Sequence, residues 1–116
     1  ALDDDFAGAI DLYDKTLEDG PTFEALLLRG KAYENLGEDD RALADYSSVI
    51  ELRPDRTLAY VRRSILRERL GDMDGARDDI RKAYARIPMS VLIEYRMRKL
   101  GLESEMTPPA PPKKDD

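Results

Sequence analysis

The chain has 116 residues and a formal net charge of −6, and it contains neither histidine nor cysteine. This length fits one domain or a short repeat array, and the missing residue types exclude disulfides, imidazole bases, thiolate nucleophiles and the usual zinc sites. We therefore expect no enzymatic activity, cofactor or metal site, and, in the absence of a membrane span or signal peptide, a cytoplasmic protein.

The first predicted element is a helix near residues 3–19, because apolar side chains recur there at steps of three and four residues. These side chains belong to Phe6, Ala9, Ile10, Tyr13 and Leu17. The segment has the pattern of the second helix in a pair whose opening helix is missing. We therefore expect Phe6, Ile10 and Tyr13 to be less protected than they would be in a complete pair.

A pair of helices follows, near residues 23–36 and 39–52. Gly37 can adopt the left-handed conformation that ends the first of them, and Asp39 or Asp40 can cap the second. The connection is so short that the two helices must run antiparallel. Small side chains let such helices approach closely.

A second pair is predicted near residues 57–70 and 73–86, and a last helix near residues 89–101. Three landmarks of the first pair recur in the second at one common spacing: Gly37 and Gly71, Ala42 and Ala76, and Pro54 and Pro88. A period of about 34 residues indicates stacked helical repeats. The first helix matches the second helix of the next pair at almost the same spacing, and the small difference falls in a loop.

The repeat domain is predicted to cover residues 1–104. It comprises a half repeat (3–21), two repeats (23–56 and 57–88) and a capping helix (89–101). Residues 105–116 are rich in proline, which removes backbone donors, so we expect a flexible tail.

The repeat from Phe23 to Arg56 resembles the tetratricopeptide repeat. The matching residues are Leu26, Gly30, Tyr33, Leu36, Gly37, Ala42, Tyr46, Val49 and Pro54. The next repeat departs from the pattern, because Ser64 replaces the helix-packing glycine and Arg67 replaces a large apolar residue or tyrosine. The resemblance implies an all-α fold, an α-solenoid of about six helices whose antiparallel hairpins stack into a right-handed superhelix. It also implies a scaffold that binds a protein or peptide in a concave groove.

By the same resemblance, the first helix of each pair lines the groove. The candidate residues are Leu27, Leu28, Lys31, Asn35, Leu58, Val61, Arg62, Ile65, Arg69, Ile93, Glu94 and Met97. This mixture suits an acidic peptide whose carboxylates pair with Lys31, Arg62 and Arg69. The alternative is that the apolar side chains pack inside the stack while the cations stay solvated.

One subgroup of this family binds the acidic C-termini of heat-shock chaperones through a clamp of Lys, Asn and Arg side chains. Alignment with that clamp selects Leu27, Lys31, Arg62, Ser90 and Glu94. Only part of the clamp is present, which disfavours a chaperone tail as the ligand.

Two other functions stay open. The chain could self-associate through the ends of the stack, or through its acidic first half (residues 1–56) and basic second half (57–116). RNA or DNA binding by the arginines between residues 62 and 86 is less favoured, because the pI is about 4.8. Adjacent carboxylates, such as Asp78 and Asp79, diverge on a helix and predict no metal site.

Overall fold

The computed structural model describes residues 5–106, and these residues form six α-helices and one short 3-10 helix. The α-helices are α1 (Phe6–Glu18), α2 (Phe23–Asn35), α3 (Asp39–Leu52), α4 (Thr57–Arg69), α5 (Met73–Arg86) and α6 (Val91–Lys99), and the 3-10 helix covers Glu103–Glu105. The all-α class is confirmed, since the described residues contain no strand. The expected tail from residue 107 onward lies outside these residues. No helix in the described range is long and apolar enough to cross a bilayer.

Glycine ends the first helix of each pair, as predicted. Gly37 and Gly71 have φ angles of 77° and 88°, in the left-handed region that favours glycine. Beyond Gly37, the N–H of Glu38 donates to the carbonyl of Tyr33 at 2.9 Å. Helix α6 stops in the same way at Gly101, whose φ is 78°, so it ends at Lys99 rather than at residue 101.

Side-chain caps define the starts of four helices. The capping residues, each accepting from the N–H three residues further on, are Asp5, Thr22, Asp72 and Ser90. Helix α3 differs, because Glu38 occupies its N-cap and makes no side-chain bond there. The prediction that Asp39 or Asp40 caps α3 is therefore wrong. Both lie in the first turn, where a negative charge still favours the helix dipole.

The two helices of each pair approach closely where one side chain is small. A Cβ atom on Gly30 would lie 2.7 Å from Cε1 of the buried Tyr46. In the second pair the equivalent residues are Ser64 and Ile80, both fully buried. The Ser64 hydroxyl donates to the carbonyl of Ala76 at 2.8 Å. The departure from glycine is thus accommodated by a satisfied hydroxyl, opposite a smaller partner than tyrosine.

The helices stack in chain order, because each one packs mainly against the next. One apolar cluster, with Leu26, Val49 and Ala59 at its centre, joins α2, α3 and α4. A larger cluster joins α4, α5 and α6, and it includes Ile80 and Met97. Neighbouring pairs therefore bury each other's apolar flanks, which is the source of stability in a solenoid.

Two ion pairs with buried aspartates repeat with the same period as the fold. Arg29 on α2 donates to Asp45 on α3 at 2.7 and 2.9 Å. One period later, Arg63 on α4 donates to Asp79 on α5 at 2.8 and 2.9 Å. Each two-point contact fixes the first helix of a pair against the second.

Candidate peptide-binding surface

The candidate surface is formed by the first helices α2, α4 and α6, on which residues separated by one period occupy equivalent positions. One row of equivalent residues is Leu28, Arg62 and Arg96, and the next is Lys31, Ile65 and Lys99. Since the repeats stack side by side, each row runs across the stack from one repeat to the next.

Most of the predicted groove residues keep at least part of their surface exposed. These are Leu27, Leu28, Lys31, Asn35, Leu58, Arg62, Ile65 and Arg69, and Glu94 is also half-buried. Val61, Ile93 and Met97 are instead at most 3% exposed and belong to the cluster between α4, α5 and α6. These three side chains support the fold from inside and offer no surface to a ligand.

On α6, the sequence prediction selected residues that face the interior. Ile93 and Met97 stand one period after Ala59 and Arg63. Ala59 is fully buried, and the Arg63 side chain is only 12% exposed. The interior positions of α4 are thus repeated on α6, with apolar residues at both.

Two exposed residues of α6 were missed. Leu92 and Tyr95 stand one period after the candidates Leu58 and Val61, and they are 50% and 57% exposed. Extending the period from Leu58 would have identified Leu92, whereas Tyr95 follows the buried Val61 and its exposure does not follow from the period. Both add exposed apolar area on α6.

Arg69 is engaged within the chain. Its guanidinium donates to Asp39 at 2.8 Å and to Glu34 at 3.3 Å. Glu34 also accepts a hydrogen bond from the hydroxyl of Tyr46. Burial, and then the bond to Glu34, raise the pKa of Tyr46 well above its usual range, so this hydroxyl stays protonated. Arg69 therefore stabilises the contact between α4 and the preceding repeat.

Glu68 pairs with two of the three cations of α6. Its carboxylate lies 2.5 Å from Nη2 of the buried Arg96 and 3.5 Å from Nζ of Lys99. Burial acts to raise the pKa of Glu68, but the bonds to Arg96 and Lys99 outweigh it and hold the pKa below its ordinary value of 4.5. This one carboxylate offsets only part of the positive charge at this end of the surface.

Among the predicted groove cations, Lys31 and Arg62 differ from Arg69. Neither forms an ion pair with a carboxylate of residues 5–106. Together with Glu34 and Asn35 they line a recess of about 80 Å³ between α2 and α4. The donors of both cations are uncommitted, and the two residues share the lining of this recess with the acidic Glu34.

The acidic residues form no metal site in the part of the chain that the structure describes. Asp79, one of an adjacent pair, is fully buried and accepts from Arg63 and Arg67. Asp5 and Asp72 cap helices. These carboxylates therefore serve the fold.

Comparison with protein families gives a match to the model described as tetratricopeptide repeat, over residues 3–56 and 40–90. A curated relative, the protein SGT1 homologue of Oryza sativa subsp. japonica, is 34% identical over 85 residues. The aligned part makes up 72% of this chain and 23% of the relative. The chain thus spans less than a quarter of the length of that relative.

Solved structures share the architecture. The first TPR of Spaghetti (RPAP3), bound to the HSP90 peptide SRMEEVD, superposes with a TM-score of 0.78 at 24% identity, covering 87% of this chain and 81% of that one. The Arabidopsis OM64 TPR domain gives a TM-score of 0.76 at 22% identity, with coverages of 83% and 80%. The Sgt2 TPR domain from Aspergillus fumigatus gives 0.75 at 23% identity, with coverages of 97% and 80%. At these identities the likeness concerns the fold.

Proposed function

The chain belongs to the tetratricopeptide repeat family, and from that premise we propose that it is a non-enzymatic scaffold that binds an acidic peptide or protein segment. The proposed site is the surface formed by α2, α4 and α6. The observation that carries the proposal is the juxtaposition of Lys31 and Arg62, two cations without a carboxylate partner in the described chain, in one recess.

The chemistry of the surface favours a carboxylate next to aliphatic side chains. Arg62 presents a planar set of donors that matches a carboxylate, and Lys31 adds a second positive charge. Leu28 and Leu58 lie one helical turn from these cations and are 45% and 48% exposed. A ligand that buried them would gain hydrophobic free energy in addition to the ion pair.

A chaperone tail is one member of this ligand class, and two observations about it disagree. The RPAP3 domain holds the acidic peptide SRMEEVD, which favours such a ligand for a similar fold. In this chain, however, Leu27 and Glu94 fall at aligned clamp positions where that subgroup has polar or basic side chains. We therefore propose acidic peptides as the class, with the chaperone tail as a disfavoured member.

Peptide selection tests the proposal directly. A library of random short peptides, selected on the immobilised chain, should be enriched in sequences that combine Asp or Glu with Leu, Ile or Val. The peptide SRMEEVD serves as the reference. Replacing Arg62 by glutamate should weaken a selected acidic peptide roughly tenfold, which corresponds to about 1.4 kcal/mol.

The matched control is Arg86→Glu. Arg86 is an exposed residue of α5, outside the proposed surface, and its replacement changes the net charge equally. Fluorescence anisotropy should give an unchanged affinity for this variant. Enrichment of neutral or basic peptides, or equal losses for both variants, would contradict the proposal.

Self-association by stacking the ends of two chains is disfavoured by one side chain. Placing α6 of one copy against α1 of the next would complete a helical pair, because α6 is of the first-helix type and α1 of the second. At the position of Gly30 and Ser64, however, α6 carries Arg98. Gly30 leaves no space even for a Cβ atom, so an arginine cannot enter such a contact without moving the helices apart.

The basic cluster of the second repeat is an unfavourable nucleic-acid site. Arg63 and Arg67 bind Asp79, and Arg81 binds Glu105 and Asp78. Because internal carboxylates offset these charges, few remain for phosphate groups. Unmeasurable RNA and DNA binding at low salt is the expected result.

A further inference from the structure

Glu34 is an acidic side chain among the cations of the candidate surface. It lines the recess together with Lys31, Asn35 and Arg62, and its side chain is only 15% exposed. A carboxylate in this place can pair with Arg62 and so compete with a ligand for the same donors. Within residues 5–106, however, Glu34 forms no ion pair with Arg62.

The equivalent residues of the next repeat do form that ion pair. Glu68 stands one period after Glu34, and Arg96 stands one period after Arg62. The Glu68 carboxylate lies 2.5 Å from Nη2 of Arg96, whose side chain is only 5% exposed. Arg96 is thus paired and buried, whereas its equivalent Arg62 keeps its donors uncommitted.

Two side chains, the anchors of Glu34, explain the difference. The hydroxyl of Tyr46 donates to one oxygen of Glu34, and the guanidinium of Arg69 donates to the other at 3.3 Å. One period later these two positions hold Ile80 and Glu103. Neither an isoleucine nor an ionised glutamate has a side-chain donor for a carboxylate. Without such anchors, the glutamate of the second repeat pairs with the arginine of the next helix.

Arg62 lies within electrostatic range of this anchored carboxylate. Burial and the bond to Glu34 raise the pKa of Tyr46, while the positive charges of Arg62 and Arg69 act to lower it. Arg62 is therefore near the hydroxyl that holds Glu34, although it binds neither group. Asp39 in turn accepts from Arg69 at 2.8 Å and so helps to fix the second anchor.

We infer that Tyr46 and Arg69 are positioning residues of the proposed peptide site. They hold the carboxylate of Glu34 away from Arg62, which leaves the guanidinium of Arg62 to a carboxylate of the ligand. Without the anchors, Glu34 binds Arg62, as the equivalent pair does in the next repeat. The consequence for binding rests on the proposed function, whereas the position of Glu34 is independent of any ligand. Tyr46 is fully buried and does not itself touch a ligand.

The position of Glu34 is measured on the chain without a ligand. The double variant Tyr46→Phe, Arg69→Gln removes both anchors and should bring Glu34 to Arg62. NMR detects this at the Nε–H group of Arg62, whose exchange with water should slow several-fold when a carboxylate binds the guanidinium. Adding Glu34→Gln should restore the original exchange rate. Unchanged exchange in the double variant, or slow exchange that persists after Glu34→Gln, would overturn the inference.

The consequence for binding is measured by fluorescence anisotropy with the acidic peptide of highest affinity from the peptide selection. The double variant should bind this peptide roughly fivefold more weakly, because Glu34 competes for Arg62. In a chain that carries Glu34→Gln, the same two substitutions should leave the affinity unchanged. A loss that persists there would show that the anchors act on the peptide directly or through the fold, and would also overturn the inference.

The matched control is the double variant Tyr60→Phe, Arg86→Gln. Tyr60 is a buried tyrosine of α4 outside the lining of the recess, and Arg86 is an exposed arginine of α5. This variant removes the same chemical groups and should change neither the peptide affinity nor the exchange at Arg62. Circular dichroism verifies that both double variants are folded.

The two measurements separate the inference from the proposed function. If the selection enriches no acidic peptide, the proposed function fails, but the exchange at Arg62 still decides where Glu34 lies. If an acidic peptide binds and removing the anchors changes neither its affinity nor the exchange, the inference alone fails.

Discussion

Arg63 and Asp79 form a two-point ion pair inside the stack, with N–O distances of 2.8 and 2.9 Å and a fully buried aspartate. Arg67 donates a third bond to the same carboxylate at 2.9 Å. Arg63 also reaches Ser47 of the preceding repeat at 3.1 Å. One carboxylate therefore orders two arginines of α4, and through Arg63 it links two repeats.

Removing this carboxylate should strongly destabilise the fold. Asp79→Ala leaves Arg63 and Arg67 without their shared partner, so the free energy of unfolding should fall by about 3–5 kcal/mol, as for other broken buried ion pairs. Urea unfolding followed by circular dichroism measures the change. Asp55→Ala removes the partner of Arg53 from an exposed pair and should have little effect. Similar losses in the two variants would show that the burial of Asp79 is unimportant.

The close approach of Gly30 and Tyr46 predicts that a smaller residue at position 46 reduces the stability cost of a larger residue at position 30. Gly30→Ala places a Cβ atom about 2.7 Å from the tyrosine ring, and overpacking of this kind costs roughly 1–3 kcal/mol. Adding Tyr46→Ile reproduces the smaller residue that the second pair has at Ile80. The cost of the alanine should then be smaller in the Tyr46→Ile background than in the unaltered chain. A double-mutant cycle on thermal unfolding measures this coupling, and purely additive effects would contradict the packing argument.

Glu68 predicts an acid-sensitive contribution to stability. Its folded-state pKa lies below the ordinary value of 4.5, so its ion pairs stabilise the fold above that pH and are lost as the pH falls through the lowered pKa. Glu68→Gln should be less stable than the unaltered chain at pH 7, and the difference should shrink below pH 4.5. Urea unfolding from pH 7 to pH 3 measures it. A difference that does not vary with pH would assign the effect to packing.

Variants at Tyr95 and Ile93 should distinguish an effect on peptide affinity from an effect on stability. We expect Tyr95→Ala to weaken a selected acidic peptide several-fold with little change in stability, because Tyr95 is 57% exposed. Ile93→Ala should instead cost about 2–5 kcal/mol of stability, because it opens a cavity in the core. Peptide anisotropy and urea unfolding on both variants give the comparison. The reverse pattern would restore Ile93 to the binding surface and exclude Tyr95.

The sequence prediction placed Ile93 and Met97 of α6 on the binding surface, and this error has a physical reason. Apolar residues occur on both sides of this short helix, since Val91, Leu92 and Tyr95 are exposed whereas Ile93 and Met97 are buried. Hydrophobicity alone therefore cannot distinguish the interior from the surface. On α4 the boundary is clearer, because Arg62 and Arg69 separate the surface from the core. Even there the sequence placed the buried Val61 on the surface.

The amino-acid sequence by itself determined the helices, their order and their pairing, because these depend on local properties: periodic apolar residues, glycines at turns and prolines between repeats. The tertiary structure alone decided which charges are available to a ligand. Arg69 binds Glu34 and Asp39, which are distant from it along the chain, whereas Lys31 and Arg62 form no ion pair with a carboxylate of the described residues. An ion pair requires charged atoms within a few ångströms of each other, and the folded stack sets that distance.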